Sequence, residues 1–248
     1  MPIARVEAGR GWSWLIEGFT LFRRDPAIWI GCLLVYLLAA LTVSAVPAVG
    51  PLASTVLQTV LLAGLLIGCR EVEGGGRLTF SHLLSGWRAQ GKALVVLGII
   101  IATAWFAVLL VMYAPFAAMM GMGYFGSALT ETPEWPDTLP VDLDPSMIWA
   151  TLAVLTVALL LAVPVAMATW FAPAVMVLRN SGVADALRAS FVGVWRNIWP
   201  LSVYTLLLVL AGVVAMMPLG LGFLVLGPVW VASFYASYRD IFGAPDSR

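Results

Sequence analysis

Four long stretches without a single charged residue, at positions 26–69, 93–130, 145–178 and 197–238, leave this chain very few ways to fold. An α-helix rises 1.5 Å per residue, so about 20 apolar residues cross the roughly 30 Å hydrocarbon layer of a bilayer. Each stretch is long enough for one crossing, and the first and last are long enough for two. The residues between them carry the charge. Arg5, Arg10, Arg23, Arg24, Arg70, Arg77, Arg88, Lys92, Arg179, Arg188, Arg196, Arg239 and Arg248 all fall in segments that share one side of the membrane such crossings define.

Composition removes the soluble alternatives. Hydrophobic residues make up 62% of the chain and charged residues 10%, against roughly a quarter charged in soluble domains. Too few polar residues remain to cover a water-facing core, so one integral membrane domain over residues 1–248 is expected. Net charge is zero and the basic residues stand singly or in pairs, without the basic patch that nucleic-acid binding needs. Glu17, Arg23, Arg24 and Asp25 interrupt the first apolar run, which does not resemble a cleavable signal peptide.

Proline and glycine divide the two longest stretches. Pro47-Ala48-Val49-Gly50-Pro51 predicts a turn between spans at 27–46 and 52–69, and Met217-Pro218-Leu219-Gly220 predicts one between 199–216 and 221–238. Single spans are predicted at 93–119 and 147–177, bent at Pro115, Pro164 and Pro173. Six transmembrane helices result. The segment joining the third and fourth holds Glu131, Glu134, Asp137, Asp142 and Asp144 and no basic residue. By the positive-inside rule it is external, and both termini and the basic segments are cytoplasmic.

A short segment with helical apolar spacing precedes each pair of spans: Trp12, Leu15, Ile16, Phe19 and Phe22; then Phe80, Leu83, Leu84 and Trp87; then Leu187, Phe191, Val194 and Trp195. Each closes on an aromatic followed by arginine, as Phe22-Arg23, Trp87-Arg88 and Trp195-Arg196. They are too short and too charged to cross, and suit cytoplasmic interfacial amphipathic helices with arginines toward lipid phosphate. The expected fold is therefore all-α, six transmembrane helices with three interfacial ones. The pattern suggests a threefold pseudo-repeat over about residues 9–70, 78–178 and 182–240. Ordinary anchoring residues at span flanks explain part of that likeness. Arg23, Arg88 and Arg196 are the candidate lipid-headgroup ligands, and Trp12, Trp14, Phe22, Trp87, Trp195 and Trp199 the candidate interfacial anchors.

Chemistry-bearing residues are sparse. His82 is expected on a solvated polar face, near Ser81 and Ser85 only. Cys32 and Cys69 are expected as small buried thiols near the cytoplasmic side, where reducing conditions keep them free. Met119, Met120 and Met122 would suit soft copper, but such clusters are more often packing. The external acidic segment lacks the regular spacing of a calcium loop. No ionisable residue falls inside a predicted span, whereas ion-coupled carriers normally place one there. Gln58 is the most polar intramembrane side chain, with an interhelical hydrogen bond as its ordinary role. Gly64-x-x-x-Gly68 favours close helix packing, and Gly74-Gly75-Gly76 has no lysine after it to make a phosphate loop.

Several motifs resemble an uncharacterised proteobacterial six-span inner-membrane protein family: Gly9-Arg10-Gly11-Trp12-Ser13-Trp14, Leu21-Phe22-Arg23, Pro47-x-x-Gly50-Pro51, Gly64-x-x-x-Gly68-Cys69-Arg70, Trp170-Phe171-Ala172-Pro173-Ala174 and Ser237-Tyr238-Arg239-Asp240-Ile241-Phe242. More distantly, the alternation of amphipathic helix and hairpin is similar to the membrane domain of some glycerophosphodiester phosphodiesterases. The first resemblance implies a multi-pass inner-membrane protein and brings no catalytic residues; the second lacks the catalytic domain here.

The functional expectation is a non-enzymatic module that organises lipid or a partner in the bacterial inner membrane. Its partners would be the phospholipid bilayer and either anionic lipid or another membrane protein, without nucleic acid, metal or cofactor. The alternative is transport or export of an uncharged or amphiphilic molecule, with Gln58, Thr169 and Tyr204 as polar lining.

Overall fold

The computed structural model describes the backbone at residues 3–128 and 145–243, and side chains at 3–114 and 148–243. Among the described residues every regular element is helical. In chain order they are α1 (Arg10–Phe22), α2 (Pro26–Ser44), α3 (Gly50–Glu73), a 3-10 turn (Phe80–Leu84), α4 (Ser85–Ala128), α5 (Pro145–Thr169), α6 (Ala172–Arg179), α7 (Val183–Arg196), α8 (Ile198–Met216) and α9 (Phe223–Phe242). The chain forms two compact units, Met1–Ala102 with Ala166–Arg248, and Thr103–Val165.

The first unit holds both predicted hairpins. Pro26 opens α2, where its missing N–H costs nothing. Ala48 then takes a left-handed φ of 65°, and Pro51 lies in the first turn of α3. A Cβ on Gly50 would stand 2.5 Å from the Ser44 carbonyl oxygen, so only glycine fits where the two arms meet. In the second hairpin Leu219 and Gly220 have φ of 54° and 81°, which reverses the chain between α8 and α9. The arms of the first hairpin are tied by side chains: Ser54 donates to the Ala40 carbonyl, Gln58 to Ser54 Oγ at 2.9 Å, and Tyr36 to Gln58 Oε1 at 3.3 Å.

Helix α9 is the buried axis of this unit. From Pro228 to Phe242 only Trp230, Arg239 and Asp240 are even partly exposed. Helix α1 lies against it through small residues. A Cβ on Gly18 would sit 2.6 Å from the Ser233 backbone nitrogen, and one on Gly11 would sit 2.8 Å from the Pro200 carbonyl oxygen. Gly64 and Gly68 of α3 likewise admit the 3-10 turn: added Cβ atoms would meet the His82 carbonyl oxygen at 2.2 Å and Leu78 at 2.4 Å. The sequence reading of Gly64-x-x-x-Gly68 as a packing motif fits that contact.

Five helical stretches of the described residues are long and apolar enough to cross a membrane: Pro26–Ser44, Gly50–Glu73, Phe80–Ala114, Ile148–Arg179 and Ile198–Met216. The sequence reading expects a sixth at 221–238. Helix α9 stands there with 20 residues. Its tyrosines, serines and tryptophan, with Arg239 and Asp240, make it less apolar than the others.

The fourth expected span is one helix only as far as Thr169. A break at Trp170-Phe171 separates α5 from α6, with Pro173 in the first turn of the new helix and Pro164 tolerated inside the old one. Ser190 of α7 satisfies the break, accepting from the Phe171 N–H at 2.9 Å and donating to the Met167 carbonyl at 2.8 Å. The second amphipathic segment begins as the 3-10 turn rather than an α-helix and runs into α4, where Gln90 leaves helical geometry (φ −148°, ψ 41°) ahead of the span expected from residue 93. The Gln90 amide donates to the Met176 carbonyl and to Asn180 Oδ1 of the α6 end.

The second unit comprises the parts of α4 and α5 from Thr103 to Val165. Val108 and Ala158 are buried, while Trp105, Phe106, Leu109, Leu110, Trp149, Leu152, Leu159 and Leu160 are exposed. The Met119, Met120 and Met122 side chains and the acidic residues Glu131, Glu134, Asp137, Asp142 and Asp144 lie outside the described residues.

Candidate functional site

The three amphipathic segments of the first unit share one arrangement. Each turns at least one small residue toward the protein and exposes part of its aromatic stripe. In α1, Gly11, Trp14 and Gly18 are buried while Trp12, Ile16 and Phe19 are exposed. In the second segment, Leu83 and Gly86 are buried while Phe80, Leu84 and Trp87 are exposed. In α7, Ala186, Ala189, Ser190 and Gly193 face inward, and Phe191 and Trp195 stack outside with ring planes 5° apart. Large exposed apolar side chains at three such places are unusual for a water-facing surface and ordinary for one that meets lipid.

Arg23, Arg88 and Arg196 are all exposed. Arg23 lies 5.8 Å from the Phe19 ring centre, and none of the three meets a carboxylate among the described residues. Four of the six expected anchors are displayed, with Trp199 the most exposed at 76%, alongside Trp12, Trp87 and Trp195. Trp14 and Phe22 instead belong to the core. The Trp14 indole donates to Asp240 Oδ2 at 2.9 Å and its ring meets Tyr204 edge-on at 5.7 Å. The reason is helical phase: Trp14 shares the Gly11–Gly18 face that closes on α8 and α9, not the Trp12 face.

Behind that face lies an ionic cluster that sequence reading missed. Arg10 pairs with Asp240 and, at 3.0 Å, with Glu17. Arg239 pairs with Glu17 and Glu73, and Tyr235 donates to Glu73 Oε2 at 2.7 Å. The hydrogen bond to Asp240 moves the Arg10 guanidinium above its ordinary value despite some desolvation, so it stays charged. The cluster binds α1, α3 and α9 together. Its members are up to 230 positions apart, and only the run Arg10…Glu17 on one helix face offered a signal in sequence.

His82 departs from expectation. It is buried, its Nε2 lies 2.9 Å from Glu71 Oε2, and its Nδ1 accepts from the Thr79 N–H at 3.0 Å in a capping box. Its partners are Glu71 and Thr79, not the solvent. Ser85 donates to the His82 carbonyl rather than to the ring. Cys32 and Cys69 are buried and free.

The three candidate lining residues have separate partners. Gln58 bridges the first hairpin, as described. Tyr204 is fully buried, with its hydroxyl 2.8 Å from Ser233 Oγ. Thr169 Oγ1 faces the Ala166 carbonyl at 3.4 Å where α5 ends. Among the described residues no three His, Cys, Asp or Glu side chains converge on a metal-sized site.

Comparison with known proteins adds one finding. The chain is similar to a probable inner membrane protein of Burkholderia thailandensis, 29% identical over 99% of this chain and 96% of that protein. No family model matches, and the phosphodiesterase likeness gains nothing from the comparison. No solved structure matches. With five apolar helices long enough to cross and a full-length relative so described, the chain is a multi-pass membrane protein.

Proposed function

We propose that this protein is a non-enzymatic inner-membrane module that organises anionic phospholipid around three interfacial helices. The observation that carries the reading is shared by the amphipathic segments: each turns small residues inward beside larger ones, each exposes aromatic residues, and Arg23, Arg88 and Arg196 are exposed without a carboxylate partner among the described residues. An arginine free of internal partners presents a planar fork suited to lipid phosphate, and the aromatics beside it suit the headgroup boundary.

In this reading α9 is a sixth span, sheltered from lipid by its neighbours, which tolerates its polar content. Interfacial helix plus two spans then repeats three times. Both termini and the basic segments are cytoplasmic, following the distribution of arginine and lysine. The name of the Burkholderia relative supports the inner membrane as the location. The transport alternative draws less support, since Tyr204 and Gln58 spend their polar atoms on neighbouring helices.

The test is the variant Arg23→Gln/Arg88→Gln/Arg196→Gln, purified beside the wild type. Phosphatidylglycerol and cardiolipin co-purifying with the variant should fall several-fold by mass spectrometry. Equal lipid content in a folded variant would reject the proposal. A single cysteine at Gly75, labelled in intact cells, tests the orientation: a reagent confined to the periplasm should not reach it.

A further inference from the structure

Where α1 turns into α2, the end of α3 closes a pocket of about 420 Å³ lined by Arg24, Asp25, Trp29, Gly75, Gly76 and Arg77, among others. Three of these residues hold polar groups without a protein partner among the described residues. Trp29 is 2% exposed, yet its indole N–H has no acceptor among the described residues. A buried donor without a partner is rare in folded proteins. Arg77 is exposed and meets no carboxylate, and the half-buried Asp25 carboxylate meets no cation.

Arg24 is held in place by donating to the Val72 carbonyl, which occupies one of its five N–H groups. Gly75, at φ 92°, makes the reversal that brings Arg77 to the same pocket. The wall thus offers two guanidinium forks, a donor set that fits phosphate oxygens. Asp25 adds the opposite demand. A carboxylate repels a bare polyanion, and it favours a ligand that brings its own cation close to the phosphate.

We infer that this pocket binds a phosphate ester carrying a primary ammonium, of the phosphoethanolamine class, with phosphate on Arg24 and Arg77 and ammonium on Asp25. The ligand is either the headgroup of phosphatidylethanolamine or a soluble glycerophosphoethanolamine. The inference deepens the proposed function and rests on its placing this end of the first unit at headgroup level, but the pocket is separate from Arg23, Arg88 and Arg196.

Purified full-length protein in detergent is titrated calorimetrically with dihexanoylphosphatidylethanolamine, glycerophosphoethanolamine, dihexanoylphosphatidylglycerol and inorganic phosphate. At least one ethanolamine compound should bind saturably, and about tenfold more tightly than the glycerol lipid or phosphate. Tighter binding of the lipid than of glycerophosphoethanolamine assigns the site to a headgroup; equal affinity assigns it to the soluble ester. Arg77→Gln, at an exposed position, should weaken binding at least tenfold. Asp25→Asn should abolish the preference for ethanolamine over glycerol. The proposal is overturned by absence of saturable ethanolamine binding, by equal binding of phosphatidylglycerol or phosphate, or by unchanged affinity in Arg77→Gln. If these titrations fail while the triple arginine variant still loses lipid, only the pocket falls. If they succeed with the soluble ester while the triple variant keeps its lipid, the pocket stands and the lipid-organising reading falls.

Discussion

Helices α8 and α9 are two arms of one hairpin and are built on opposite rules. Helix α8 is almost wholly aliphatic and exposes Leu206, Val209, Leu210, Val213 and Val214. Helix α9 carries Ser233, Tyr235, Ser237 and Tyr238, and all four are buried. In water the more apolar helix would be the interior one. In a bilayer the lipid tails are as apolar as leucine, so hydrophobicity no longer drives a helix inward. Close packing and hydrogen bonds do, and small and hydroxyl-bearing residues supply both. The less oily arm of this hairpin is the buried one, and its hydroxyl-bearing residues go with that place inside the first unit.

The sharpest way to break this contrast is to fill the small positions that face α9. Gly18→Leu drives a side chain into the Ser233 backbone, and overpacking of that kind should cost roughly 3 kcal/mol in the unfolding free energy of micellar protein. Gly212→Leu on α8, where nothing stands within 4 Å of an added Cβ, should stay within about 0.5 kcal/mol of wild type. Equal losses at both positions would end the distinction. Next comes Glu73→Gln, which removes the charge that holds Arg239 and Tyr235 of α9; a loss of about 2 kcal/mol is expected in the same assay. No change would mean the ionic cluster is ornamental. A smaller loss belongs to Tyr204→Phe, which deletes the hydroxyl contact from α8 to Ser233 and should cost about 1 kcal/mol by chemical denaturation. A stabilised variant would show that this contact is a burden rather than a tie.

The parts of the fold that were legible in sequence are those written locally. Pro47 to Pro51 and Pro218-Leu219-Gly220 mark the hairpin turns because proline and left-handed backbone act within a few residues. Pro173 marks the α5–α6 break for the same reason. What stayed hidden depends on distant partners. The apolar stripe of α1 was readable, but its inward face is the Gly11–Trp14–Gly18 row, chosen by its fit to α8 and α9. His82 reads as a solvated residue until Glu71, eleven positions earlier, is brought back to it. Arg23, Arg88 and Arg196 keep no carboxylate partner among the described residues, whereas Arg10 and Arg239, identical in type, are taken by Glu17, Glu73 and Asp240.

The docking of α1 on α9 also dictates an order of events during biosynthesis. Helix α1 leaves the ribosome first, yet the surface that receives Gly18 and Trp14 is the last helix described. At roughly 5–20 residues per second, some tens of seconds of translation separate the two. Until then the Gly11, Trp14 and Gly18 row of α1 is uncovered on its α9 side, and a ribosome that stalls before α9 leaves a nascent chain whose α1 never finds its berth.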